Sequence, residues 1–134
     1  MKLIETYEFN DPGYAKLFSY QEWRVAMLNY INHLEIDQIN YVECHNQTDE
    51  VFVLLEGRCQ LIVFNNKSFS VVELEKNKIY NVPKGIYHNH VLTEDAKVLI
   101  VEQEDTSDFN STRIYLTEDE RLKMIEVWRK HNEL

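Results

Sequence analysis

From residue 39 to residue 103 the chain alternates short apolar runs with polar breaks. The runs are INYVECH (39–45), VFVLLEG (51–57), CQLIVF (59–64), SFSVVEL (68–74), KIYNVP (78–83), IYHNHVL (86–92) and KVLIVEQ (97–103). They recur about every ten residues, and NNK (65–67), EKNK (75–78) and TEDA (93–96) separate them. Short runs rich in β-branched and aromatic residues at this spacing predict an all-β sandwich or barrel. No long helical pattern interrupts the series, which excludes a parallel sheet of alternating strands and helices. VFNNKSF reads as a tight hairpin, because Asn accepts the positive φ that such a turn needs. Gly57 is expected to turn a second hairpin, between VFVLLE and CQLIVF.

The flanks are less regular. Ser19 and Glu22 have capping-box spacing, which would open a helix. Trp23, Val25 and Met27 nevertheless alternate with Arg24, Ala26 and Leu28, and this alternation predicts a strand from about Trp23 to Tyr30. Residues 10–19 hold one Pro and one Gly and read as an ordered loop, and 104–112 reads as a polar connection. Thr117 and Glu120 again have capping-box spacing. Leu122, Ile125 and Trp128 then follow at helical spacing, with Met124 and Val127 widening the stripe. This predicts a helix over about 117–131, packed on the outside of the barrel or on a partner subunit.

Length and composition bound the picture. The 134 residues suit one domain, with the barrel over about 20–104, and 44% apolar residues can supply its core. A net charge of -9 opposes binding to nucleic acid or to an anionic membrane surface and favours small partners. No apolar run approaches a membrane span, and the first residues lack the apolar region of a secretory leader. The expectation is a cytoplasmic protein with Cys44 and Cys59 as free thiols.

Titratable residues gather in two places: Glu43, His45, Asp49 and Glu50, then His88 and His90. On a strand, side chains two apart share a face, so Glu43 pairs with His45 and His88 with His90. If both pairs face inward, imidazole and carboxylate converge in a set that suits Fe(II), Mn(II), Ni(II) or Zn(II). The bland reading is hydrogen-bonded strand histidines. Arg24, Tyr41 and Tyr87 are candidate lining residues of the same cavity, with His90 as a further polar group there. An outer-face salt bridge is as good a reading of Arg24. His33 and His131 read as surface residues, and Asp49 as a turn residue.

HNQTDEVFVLLEG followed by VPKGIYH resembles the two motifs of the cupin superfamily. Glu50 and Gly57 keep the spacing of the first motif, with His45 ahead of them, and Pro83, Gly85 and His88 match the centre of the second. The resemblance covers roughly residues 23–103. It implies an antiparallel jelly-roll β-barrel, usually dimeric and often holding one metal. It also implies His45, Glu50 and His88 as ligands. The chain departs from the pattern where the first His of the first motif is Glu43, where both leading glycines are Asp37 and Asn77, and where the closing Asn is Leu92. Glu43 is therefore a candidate fourth ligand or, unligated, a general base. A register one residue shorter would turn Cys44 and Asn46 inward instead. The register with Glu43 and His45 inward is preferred because imidazole is the better ligand for an oxygen-rich site.

No nucleophile elbow, phosphate loop or dinucleotide fingerprint is present, and no organic cofactor is implied. Two functions stand in competition: a metal-dependent enzyme of dioxygenase or isomerase type, and a non-catalytic barrel that binds a small molecule as a sensor or carrier without metal. An oligomerisation module ranks below both.

Overall fold

The computed structural model describes residues 3–133. Its strands in chain order are β1 (Gly13–Tyr20), β2 (Trp23–Asn29), β3 (Tyr41–His45), β4 (Glu50–Glu56), β5 (Cys59–Phe64), β6 (Phe69–Glu73), β7 (Tyr80–Val82), β8 (Tyr87–Leu92), β9 (Lys97–Gln103) and β10 (Ser111–Tyr115), followed by helix α1 (Glu118–Asn132). They form two five-stranded sheets, ordered β1-β2-β9-β4-β7 and β10-β3-β8-β5-β6. Every pairing is antiparallel. The jelly-roll expectation and the C-terminal helix are both observed.

Alternation decides what each sheet buries. Leu28 and Ala26 on β2, Val98 and Ile100 on β9, Phe52 and Leu54 on β4, and Cys59 and Leu61 on β5 point between the sheets and form the main core. A second core lies outside the second sheet. There Val42, Ile62, Phe64 and Phe69 pack under Met124 of α1, with Ile125, Val127 and Trp128 around them. Thr117 caps the helix reciprocally with Glu120, as the spacing predicted. The stripe is centred on Met124, which is fully buried, whereas Leu122 is half exposed. The helix therefore sits rotated from the predicted face.

Three expectations are corrected. Residues 10–19 are not a loop, because most of them belong to β1. The connection 104–112 ends in a strand, since β10 begins at Ser111. Both are edge strands, which bury only one flank and so lack a strong apolar alternation. Gly57 does not turn a hairpin. β4 and β5 lie in different sheets, so the chain crosses the sandwich there. Gly57 takes φ +69°, and a Cβ on it would stand 2.7 Å from the Ala96 backbone. The β5–β6 hairpin does form, with Asn66 at φ 73° and Phe64 stacked on Phe69 at 4.5 Å.

Candidate functional site

The inward face of each central strand changes character along its length. β9 runs Val98, Ile100, Glu102; β4 in reverse runs Leu54, Phe52, Glu50; β8 in reverse runs Leu92, His90, His88; β2 in reverse runs Leu28, Ala26, Arg24. Apolar side chains fill one end of the sandwich and titratable ones line the other. The polar end opens into a cavity of about 770 Å³ lined by residues from both sheets.

The second motif brings His88 beside His45 through its turn. Asp49 accepts hydrogen bonds from Lys84 N and Asn81 Nδ2, which pins the turn after β7. Gly85, at φ +82°, then donates its N–H to the His45 carbonyl at 2.8 Å. Cross-strand pairing places Glu43 opposite His88. His45, Glu50 and His88 converge, with one ligand atom from each lying within 4.8 Å of the others.

Glu50 Oε1 lies 3.1 Å from His45 Nε2 and 3.0 Å from His88 Nε2. Both outer imidazole nitrogens are held: His45 Nδ1 is 2.8 Å from Ser111 Oγ, and His88 Nδ1 is 3.0 Å from the Ile86 carbonyl. A carbonyl only accepts, so His88 Nδ1 carries the proton. Nε2 then meets the carboxylate either as a second N–H donor or, without that hydrogen, across a cation held between the two atoms. Burial works to raise the Glu50 carboxyl, yet hydrogen bonds from His45 and His88 outweigh it and hold the group well below the usual carboxylate range. For His45, burial pulls downward, while the hydrogen bond and charge of Glu50 prevail and raise it.

Other expected residues are distributed as follows. Glu43 lines the cavity, but its carboxylate takes Arg113 Nε at 2.6 Å and stands apart from the three converging groups. Arg113 in turn lies over the Tyr41 ring, 4.4 Å from its centroid. Arg24, Tyr41 and His90 line the cavity, and so does His33, which is exposed as expected. Burial lowers His90 to about 4, so it is neutral at pH 7. Tyr87 is the correction: it lies on the other face of β8 from His88 and packs into the outer core. Cys44 shares that outward face of its strand and contacts Asn46 Oδ1 at 3.5 Å. The inward register is therefore the one carrying Glu43 and His45. Cys44 and Cys59 are free and buried.

Glu102, Tyr14, Arg113 and Ser111 were missed from sequence. Glu102 is buried and accepts from Tyr14 Oη at 3.1 Å. It also lies 3.5 Å from Arg24 Nη2. Burial, then the charge of Glu50, raises its carboxyl pKa, and Arg24 opposes the rise. A period of two through Val98, Ile100 and Glu102 was the signal that could have found it.

Among solved structures, a cupin-2 domain protein from Shewanella frigidimarina aligns with TM-score 0.55 and 23% identity over 72% of this chain and 85% of its own. A cupin of the RmlC-like family from Methanocaldococcus jannaschii, described as a double-stranded β-helix, aligns at TM-score 0.55 and 10% identity over 76% and 92%. The chain has the cupin fold. The Streptomyces nucleoside dehydratase PAC13, solved with uridine, shares this cupin architecture at TM-score 0.56 and 10% identity over 87% and 98%. No protein-family model matches the chain, and no curated protein matches it. The residues that match the two motifs, His45 and Glu50 in the first and His88 in the second, are the ones that converge in the cavity.

Proposed function

We propose that this cupin holds a divalent first-row metal on His45, Glu50 and His88, and acts on a small polar molecule bound beside it in the cavity. The carrying observation is Glu50 Oε1, which faces two imidazole Nε2 atoms at 3.0 and 3.1 Å while both outer nitrogens are engaged. Ligands held in adjacent octahedral positions at about 2.1 Å from a metal stand about 3.0 Å apart. Partners fixing the outer nitrogen of each histidine are the usual surroundings of metal-bound imidazole. A two-His, one-carboxylate donor set suits Fe(II), Mn(II), Ni(II) or Zn(II).

Such a metal supplies Lewis-acid polarisation of a bound oxygen. The chain's own residues do the rest. The apolar base of the cavity, with Leu28 and Ile100, keeps one side of the ligand dry. Glu43 and Arg113 hold each other at the opposite wall, so Glu43 acts there as an orienting group. Glu102, held by Tyr14, is the second buried carboxylate of the cavity. A Lewis-acid centre in a cavity with one dry side fits chemistry of the isomerase or dehydratase class. The reaction classes named for similar folds, a nucleoside dehydratase and TDP-sugar ketoisomerases, are in keeping with it.

Thermal shift tests the metal reading. Protein prepared without an affinity tag is expected to gain several degrees in Tm from Mn(II), Fe(II), Ni(II) or Zn(II), and Glu50→Gln is expected to lose that gain. An unchanged Tm with all four ions contradicts it. The second reading, a metal-free small-molecule binder in which protonated His45 supplies the cation, would then hold; the raised pKa of His45 favours it.

We also propose a homodimer through the outer face of the first sheet. Val25, Met27, Val53, Leu99 and Val101 are part-exposed there and Leu55 is exposed, with no helix over them among the described residues. An uncovered apolar face of this kind marks an interaction surface.

A further inference from the structure

The cavity holds a second cluster that the metal site does not use. Tyr14, Arg24 and Glu102 all line it. Arg24 stands opposite Glu102 in the β2–β9 register, and Val51 opposite Val101 in the β4–β9 register sets Glu50 next to Glu102. Arg24, Glu102 and Glu50 thus form one row across three strands, with backbones two strand spacings, or about 10 Å, apart from end to end.

Backbone carbonyls hold the tip of the Arg24 side chain. Nη1 donates to the Glu104 carbonyl at 3.1 Å, and Nη2 donates to the Thr106 carbonyl at 3.1 Å. Its guanidinium lies over the Tyr14 ring, 5.7 Å from the centroid. Its Nε is buried and has no hydrogen-bond partner among the described residues. A buried donor left unpaired costs free energy, and a ligand acceptor recovers it when the guanidinium turns on its stem to present Nε to the cavity. Glu102 beside it has a carboxylate that takes Tyr14 Oη and still has acceptor capacity.

We infer that Arg24 and Glu102 form a recognition subsite for the end of the ligand remote from the metal. That end is neutral and offers an acceptor and a donor side by side, as a carboxamide or a vicinal diol does. Arg24 Nε donates to the acceptor, and Glu102 accepts from the donor. A carboxylate at that end is rejected, because Arg24 is already matched by Glu102 at 3.5 Å. A second anion would set two acids against one guanidinium where little water screens them. The inference rests on the proposed function for the other end of the ligand.

The test uses paired probes that differ only at the tail: glutaramate against glutarate, and adipamate against adipate. Their binding is measured by calorimetry and by NMR shifts of the protein, with and without Mn(II), and Mn(II) uptake is read separately by electron paramagnetic resonance. The amide tail is expected to bind about tenfold or more tightly than the acid tail. Arg24→Lys, which keeps the charge and loses the Nε–H fork, is expected to bring the ratio near one. Equal or tighter binding of the dicarboxylates by the unaltered protein overturns the inference, as does failure of every probe to bind. That readout needs no variant, so a poorly folded Arg24→Lys does not protect the idea. Absence of Mn(II) uptake would count against the metal reading alone, because the tail ratio is read in both conditions.

Discussion

Single residues show how tightly the site depends on backbone that the chemistry never touches. Gly57 occupies the left-handed region with the Ala96 backbone 2.7 Å from where its Cβ would be. Gly57→Ala combines strain with a backbone clash and is expected to cost about 2–3 kcal/mol, seen as a Tm lower by several degrees. An unchanged Tm would mean that the crossing between the sheets has slack. Two kinds of site residue differ in legibility. His45, Glu50 and His88 were readable because their spacing is a motif. Glu102 and Tyr14 were not, because one buried acid at the end of an apolar strand, or one tyrosine on an edge strand, carries no spacing of its own. Tyr87 was misplaced because a tyrosine suits either face of a strand. Its neighbour His88 takes the inner face, so Tyr87 must take the outer one.

Among the elements, α1 is docked at its C-terminal end by a polar cluster. Glu73 of β6 accepts from Arg58 at 2.9 Å, from Gln60 at 2.9 Å and from His131 at 3.1 Å. Trp128 Nε1 donates to Gln60 Oε1 at 2.6 Å. Burial works to raise the Glu73 carboxyl, but its donors prevail and lower it. A carboxylate with a depressed folded pKa contributes stability that is present above its unfolded value, about 4.5, and is lost as pH falls through the folded one. Glu73→Gln is therefore expected to cost up to about 1 kcal/mol near pH 7, with the gap from the unaltered protein narrowing as pH falls below about 4.5. Melts recorded across that range check it, and a gap independent of pH would contradict the assignment. The helix was legible from its capping box and stripe, and the central strands from their alternation. β1 and β10 were not, since their inward faces carry cations, Lys16 and Arg113, where apolar residues would have marked a strand. Both make ion pairs within the fold, with Glu104 and Glu43.

At the scale of the whole molecule, the two sheets differ in what covers them. The second is roofed by α1. The first presents its outer apolar face around β9, the central strand of that sheet. If two copies meet there, Leu99→Lys is expected to give a monomer in light scattering without loss of the metal response. A dimer that survives this change would place the contact elsewhere. The same asymmetry orients the barrel: its apolar base is closed by the main core, and its polar mouth gathers four histidines and three glutamates. The central claim is that His45, Glu50 and His88 form a metal centre, and anomalous scattering from a manganese-soaked crystal tests it most directly. The account predicts one peak within bonding distance of His45 Nε2, Glu50 Oε1 and His88 Nε2, and not of Glu43. No peak at these three atoms, or a peak bound by Glu43 in place of Glu50, would contradict it.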